Sequence, residues 1–103
     1  MNADAIAREY SEKLRSALGS RVRDIILFGS RARGDNEYYS DYDMLIVVDR
    51  RDRAIVKKIR KIAVEMLDHH ERLFGNIVYD ANEWERKKRF PLGMSIQRDG
   101  IRI

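Results

Sequence analysis

Two aspartates, Asp41 and Asp43, stand one residue apart at the start of the apolar run 42–48. In a β-strand, residues two apart point to the same face, with Cα atoms roughly 7 Å apart. Two neighbouring carboxylates repel each other, and each favours protonation of the other. A divalent cation removes that repulsion, and oxygen ligands without Cys suit Mg²⁺ or Mn²⁺ better than Zn²⁺. The pair therefore predicts a metal site that keeps positions open for substrate phosphates.

A glycine–serine pair, Gly29 and Ser30, follows another apolar run and is separated from Asp41 by ten residues. A glycine here lets the backbone approach a ligand closely. If a helical turn begins at Ser30, its free N–H groups form an anion site, to which the Ser30 hydroxyl can add a hydrogen bond. Arg31 and Arg33 add positive charge, and arginine suits bidentate contact with phosphate. These residues predict a phosphate-binding turn.

The pattern of apolar residues predicts the elements that carry these side chains. Short apolar runs predict strands at 22–28, 42–48 and 76–80. An amphipathic helix precedes the first strand and ends near Gly19. Its apolar face consists of Ile6, Tyr10, Leu14, Ala17 and Leu18.

A second helix of about five turns is expected between the second and third strands. Asp49 or Asp52 can cap its start, and Gly75 can end it. Its apolar stripe consists of Ile55, Ile59, Ile62, Met66 and Leu73, widened by Val56, Ala63 and Leu67.

After the third strand the pattern is weaker. Asn82 and Glu85 resemble a capping box for a short helix through Trp84, which Pro91 would stop. The last ten residues are typical of a small hairpin or an edge strand that turns at Asp99–Gly100. The whole order of elements predicts an α/β or α+β fold, with one sheet covered by helices.

Composition limits the class of protein. At 103 residues the chain is expected to form a single domain, residues 1–103. It has 44% hydrophobic and 37% charged residues and no cysteine, which indicates a globular protein without disulfides or thiolate metal sites. No apolar run approaches the roughly 20 residues of a membrane span, so the cytoplasm is the expected compartment. The net charge of +4 permits phosphate-bearing partners without identifying one.

The stretch GSRARGDNEYYSDYD, residues 29–43, resembles the G-S-x10-D-x-D signature of the minimal nucleotidyltransferases, within the DNA-polymerase-β-like superfamily. The spacing of the glycine–serine pair and the two acids fits throughout. Later segments, NIVYDANEWER and IQRDGIRI, resemble the last strands of that family. The resemblance spans roughly residues 5–103.

The resemblance implies a small mixed β-sheet with helices packed on one side. It also implies Mg²⁺-dependent transfer of a nucleoside monophosphate, AMP from ATP, to an acceptor hydroxyl, with release of pyrophosphate. Carried over by position, Gly29 and Ser30 hold the triphosphate, while Asp41 and Asp43 are the catalytic metal ligands. Small free-standing members are often antitoxins that modify a HEPN-domain toxin, so the implied partner is such a toxin.

The family carries a third carboxylate on its next strand, and the match weakens there. Alignment puts Asn76 at that position, and an amide cannot act as a base. Asp80 has the same strand parity but lies about 13 Å further along. Either Asp80 supplies the third acid through a shifted register, or the site lacks one.

Three functions stay open from the residues alone. The first is an active nucleotidyltransferase that modifies a partner protein, and the second is a weak or inactive relative that neutralises a toxin by binding. The third, a nucleic-acid module that uses the basic cluster Lys57–Lys61, is not favoured because aromatic platforms and groove-reading motifs are missing. Self-association also stays open.

Overall fold

The computed structural model describes residues 3–103 of the predicted domain and shows five helices and four strands there. The elements, in chain order, are α1 (Ala5–Leu18), β1 (Val22–Phe28), α2 (Ser30–Arg33), β2 (Tyr42–Val48), α3 (Arg53–His70), β3 (Phe74–Asp80), α4 (Ala81–Lys87), α5 (Pro91–Asp99) and β4 (Ile101–Arg102). A short 3₁₀ turn, Gly19–Arg21, joins α1 to β1.

The four strands form one mixed sheet in the order β3-β2-β1-β4. β1 pairs antiparallel with both β2 and β4, whereas β2 and β3 are parallel. Parallel neighbours need a crossover, and α3 provides it. The predicted class, a small mixed sheet with helices, is confirmed.

One face of the sheet packs against the two long helices, α1 and α3. Alternate residues of the central strands point into this core, as the two-residue period of a strand requires. Each fully buried aliphatic side chain contributes about 1.5–3 kcal/mol here. The buried set includes Tyr10, Leu14, Ile25, Leu27, Met44, Ile46, Ile55, Ile59 and Met66.

The other face is partly covered by the short helices α4 and α5. Trp84 and Ile96 pack there against the intervening strand residues Ile26, Leu45 and Val47. The expectation of helices on one side therefore holds for α1 and α3 only. The reason is that the tail, predicted as a small hairpin or an edge strand, forms α5 instead, and α5 packs on this face together with α4.

Two predictions at the end of α3 are corrected. Asp52, one of the two expected residues, caps the start of the helix, but the last helical residue is His70, and Glu71 caps the end in a left-handed conformation with φ 54°. Leu73 lies outside the helix, and Gly75 lies inside β3, which begins at Phe74. Parallel pairing of Phe74 with Tyr42 extends the strand two residues further back than the apolar pattern indicated.

The C-terminal predictions are also corrected. The capping box is formed by Asp80 and Glu83, rather than by Asn82 and Glu85. Pro91 starts α5 instead of stopping a helix, because proline fits the first helical position, whose N–H has no intrahelical partner. Only β4 remains of the predicted terminal strands.

Among the helices of residues 3–103, none combines the length and apolar character that a membrane crossing requires.

Candidate nucleotide and metal site

A tight turn joins β1 to α2 at the glycine–serine pair. Gly29 has φ 75° and ψ −156°, a conformation that side chains disfavour. Its carbonyl accepts hydrogen bonds from the amides of Ala32 and Arg33, both at 3.1 Å. The predicted helical turn at Ser30 therefore exists, and its first amides point away from the helix.

This turn and the second aspartate meet at one place. The antiparallel register sets Phe28 opposite Asp43, so the residue after Phe28 lies at the start of β2. A Cβ added at Gly29 would overlap Asp43 Oδ2. Gly29 is thus required by its backbone conformation and by the carboxylate that lies against it.

The two aspartates occupy different surroundings. Asp43 is half-buried inside β2 and shares its face with Leu45 and Val47, whereas Asp41 is exposed and precedes the strand. Burial raises the pKa of Asp43, and the charge of Asp41 raises that pKa further. The charge of Arg33 opposes both effects. An acid pair with this electrostatic cost would gain from a bound cation.

The donor set fits Mg²⁺ or Mn²⁺. Within residues 3–103, Asp43 has no hydrogen bond or ion pair from another side chain, so its oxygens are free to ligate. The same part of the chain contains no cluster of three or more His, Asp or Glu that could hold a metal. Asp41 and Asp43 supply oxygen ligands of the kind that Mg²⁺ prefers, and Mg²⁺ usually completes its shell with waters and substrate phosphates.

The two arginines of the turn differ sharply. The Arg33 side chain is 45% exposed and pairs with Asp35 at 3.2 Å. The Arg31 side chain is only 9% exposed. Its guanidinium donates to the carbonyls of Ser40 and Tyr38, both at 2.8 Å. Arg33 is therefore accessible to a phosphate that could replace its exposed pairing with Asp35, whereas the donors of Arg31 are used within the protein.

Neither candidate for a third ligand lies beside Asp43. Asn76 pairs with Met44, and its side chain points to the opposite face, where Oδ1 accepts from the Tyr10 hydroxyl at 3.0 Å. Asp80 pairs with Val48, five residues along the strand and roughly 16 Å away. Its carboxylate accepts from the Glu83 amide as the cap of α4.

The residue of β3 that does face Asp43 is Gly75. The two are register partners, and a Cβ at Gly75 would lie 3.5 Å from Asp43 Oδ1. The place that a third carboxylate would fill therefore holds no side chain. The sequence alignment indicated Asn76 at this place, one residue later than Gly75. The parallel register of β2 and β3 decides between them, and it cannot be seen in the sequence.

The end of α5 also lies near the site, which no pattern in the sequence indicated. Its last residue, Asp99, pairs with Arg98 at 3.1 Å. That hydrogen bond lowers the pKa of Asp99, and the charge of Arg33 lowers it further. Arg33 thus lies within electrostatic range of both Asp43 and Asp99. The sequence pattern predicted a turn at Asp99–Gly100 and therefore did not indicate that Asp99 lies near Arg33.

Comparison with known proteins identifies the family and the fold of this chain. The model of the nucleotidyltransferase domain family matches residues 7–99. Two Methanocaldococcus jannaschii proteins named "Putative protein adenylyltransferase" are similar to this chain. One is 47% identical over 49 residues, which are 48% of this chain and 49% of the relative. The other is 36% identical over 75 residues, which are 72% of this chain and 76% of the relative. The match thus spans about half the length of the first relative.

Solved structures share the fold. A Sulfolobus solfataricus protein described as a putative nucleotidyltransferase has a TM-score of 0.55 at 28% identity, covering 94% of this chain and 75% of the other. The toxin–antitoxin pair MntA–HpeT has a TM-score of 0.60 at 15% identity, covering 93% and 70%. A toxin–antitoxin structure with AMP-PNP has a TM-score of 0.57 at 18% identity, covering 91% and 69%.

Proposed function

This chain belongs to the nucleotidyltransferase domain family, and from that membership we propose that it binds an Mg²⁺–NTP complex at the Gly29–Asp43 site and transfers the nucleoside monophosphate to a hydroxyl. The observation that carries the proposal is the close approach of the turn to Asp43. A Cβ at Gly29 has no room beside Asp43 Oδ2, so a triphosphate at the turn would lie against that carboxylate.

Each residue then has a defined role. Asp41 and Asp43 ligate the metal, which when bound neutralises the phosphate charge. Gly29 and Ser30 offer backbone amides and a hydroxyl to the triphosphate, and Arg33 adds its guanidinium. The acceptor oxygen bonds to the α-phosphorus and its proton passes to solvent water, while the bond from the α-phosphorus to the oxygen that bridges it to the β-phosphorus breaks and pyrophosphate leaves. Catalysis of this kind depends mainly on positioning and charge.

We further propose that the nucleotide is ATP and that the acceptor hydroxyl belongs to a partner protein. The names of the M. jannaschii relatives support adenylyl transfer to protein. The toxin–antitoxin structures of the same fold, one with AMP-PNP, support an antitoxin role against a toxin. The family resemblance indicates a HEPN-domain toxin as that partner.

A second candidate function is toxin neutralisation by binding alone. The observation that favours it is Gly75, which leaves the place opposite Asp43 without a carboxylate. Such a site would lack a base on β3 to take the proton from the acceptor hydroxyl. Nucleotide binding would survive, whereas transfer would be slow or absent.

Incubation with labelled ATP, Mg²⁺ and a toxin encoded beside this chain tests the proposal. The expected result is label on the toxin, lost with Asp41→Asn/Asp43→Asn and kept with Asp68→Asn, which changes an exposed carboxylate on α3. Tight toxin binding without label would support neutralisation by contact. Label that persists without both aspartates would overturn their assignment as metal ligands.

A further inference from the structure

We propose that Arg31 is a positioning residue that fixes Asp41 by holding the loop between α2 and β2, an inference that rests on the proposed function. The Arg31 Nε donates to the Ser40 carbonyl and Nη2 to the Tyr38 carbonyl, both at 2.8 Å. Both bonds connect the far end of the loop 34–41 to α2, the helical turn that precedes the loop. The Arg31 side chain thus holds the residue directly before Asp41.

Asp41 depends on this closure more than Asp43 does. Asp43 lies inside β2 and is fixed by pairs on both sides, Phe28 and Gly75. Asp41 precedes the strand and is exposed. Its neighbours along the chain are both anchored, because Arg31 binds the Ser40 carbonyl and the Tyr42 amide donates to the Leu73 carbonyl at 2.9 Å. Without Arg31, one of these two anchors is lost.

The same side chain connects the loop to α1. Its guanidinium stacks over the Tyr42 ring, 4.1 Å from the ring centre, and Nη1 lies 3.5 Å from Asp4 Oδ2. The Tyr42 hydroxyl donates to the same Asp4 oxygen at 2.7 Å. The other Asp4 oxygen caps α1 by accepting from the Ala7 amide at 2.9 Å. Arg31 therefore lies between the site loop and a fixed helix end.

These contacts need arginine and not merely a positive charge. One planar guanidinium serves two carbonyls through separate nitrogens, stacks on a ring and faces a carboxylate. A lysine ammonium is a compact charge without this planar fork. Arg31→Lys should keep the local charge and the fold while loosening the loop.

If Arg31 instead contacted the triphosphate, its substitution would have a different effect on binding. A residue that contacts the triphosphate would change the affinity for nucleotide at every metal concentration. A residue that positions a metal ligand changes the metal dependence first, and loss of such outer contacts typically costs about 10–100-fold in metal affinity. Arg33, which is more exposed, provides the matched comparison within the same turn.

Calorimetry with a non-hydrolysable ATP analogue at a series of MgCl₂ concentrations, for wild type, Arg31→Lys and Arg33→Lys, separates these roles. Arg31→Lys should raise the half-saturating Mg²⁺ concentration about tenfold and leave the analogue affinity at saturating Mg²⁺ within about twofold. Arg33→Lys should weaken the analogue at all Mg²⁺ concentrations. Weaker analogue binding by Arg31→Lys with an unchanged Mg²⁺ dependence would overturn the proposal and make Arg31 a phosphate contact.

Hydrogen exchange of the free protein is an independent measurement. Arg31→Lys should accelerate amide exchange at residues 38–41 and leave β1 and β2 protected. Arg33→Lys should not accelerate exchange at residues 38–41, because Arg33 contacts the loop only at Asp35. Unchanged loop exchange in Arg31→Lys would overturn the proposal. If wild type binds no Mg²⁺–analogue complex, the proposed function fails and the role of Asp41 as ligand fails with it. The exchange data then still show whether Arg31 holds the loop.

Discussion

Gly29 meets two demands at once, one from its own backbone and one from a side chain fourteen residues later. Its φ of 75° excludes most residues, and Asp43 Oδ2 fills the space where a Cβ would stand. The sequence predicted a close backbone approach to a ligand at this glycine. The structure shows in addition that the approach is shared with the acid of the second strand.

Gly29→Ala should abolish Mg²⁺–ATP binding, because the new methyl group displaces the Asp43 carboxylate. Gly19→Ala is the matched control, since Gly19 has φ 58° and ψ −135° but nothing within 4 Å of an added Cβ. Both variants should lose about 1–3 kcal/mol of stability from backbone strain. Calorimetry and urea unfolding compare them, and equal loss of nucleotide binding in both would show that strain, not the contact with Asp43, is responsible.

Gly75→Asp should place a third carboxylate opposite Asp43, where a Cβ fits at an ordinary contact distance of 3.5 Å. Without metal the added charge should lower the melting temperature, because three acids then repel one another. With Mg²⁺ the melting temperature of Gly75→Asp should exceed that of wild type. Its metal affinity and any transfer rate should also be higher than those of wild type. Melting curves with EDTA and with Mg²⁺ measure both effects.

Asn76→Asp is the natural comparison for Gly75→Asp, because Asn76 faces the Tyr10 hydroxyl on the other side of the sheet. It should not improve metal binding. A gain from Asn76→Asp and none from Gly75→Asp would contradict the observed register. Sequence alone could not choose between these residues, since a shift of one position in a strand moves a side chain to the opposite face.

At the scale of elements, strong periodicity predicted the interiors of helices and strands, but not their ends. α1, β1, β2 and most of α3 follow directly from their apolar patterns. The end of α3 at Glu71 depends on a left-handed conformation that the residue type does not favour. The start of α5 at Pro91 was not predicted, because a proline can follow the end of one helix and can equally be the first residue of another.

Asp80 belongs to the start of α4 and not to the site. Asp80→Ala should cost about 1 kcal/mol of stability through loss of the cap. Its affinity for a Mg²⁺–ATP analogue should match wild type, because Asp80 lies five residues along β3 from the partner of Asp43. Chemical denaturation and calorimetry on the same variant give both values. A large loss of Mg²⁺ affinity would return Asp80 to the site through another register.

The start of α3 should make stability depend on pH. A backbone hydrogen bond from Ile55 and the Arg21 guanidinium lower the pKa of Asp52. A lowered pKa stabilises the fold above the unfolded value, about 3.9, and this stabilisation disappears as the pH falls through the folded value. Asp52→Asn keeps the cap but removes the charge. Its melting temperature should be below wild type at neutral pH.

The difference between wild type and Asp52→Asn should close as the pH falls below about 4, because protonation removes the Asp52 charge. Asp68→Asn, on the exposed surface of the same helix, is the control and should show no comparable change. Melting curves followed by circular dichroism compare each variant with wild type at each pH. A gap of constant size across this range would show that the Asp52 charge contributes nothing.

At the scale of the whole molecule, the larger hydrophobic core and the candidate site lie on opposite faces of the sheet. α1 and α3 build the larger core on one face, whereas Asp43 and the end of α5 lie towards the other. The signature predicted that the glycine–serine turn and the acids lie close together, and the antiparallel pair β1–β2 does set Gly29 against Asp43. The covering of the second face by α4 and α5 and the approach of Asp99 to Arg33 required the tertiary structure, because both depend on contacts between distant segments.

The proposed shared site of the turn and the two aspartates is tested most directly by calorimetry with a non-hydrolysable ATP analogue. Wild type should bind the analogue with Mg²⁺, and binding should weaken at least about tenfold when EDTA removes the metal or when Asp43→Asn removes a proposed ligand. Asp68→Asn should bind like wild type. Equal binding of the analogue by wild type and Asp43→Asn, or binding that does not respond to Mg²⁺, would contradict a shared metal and triphosphate site.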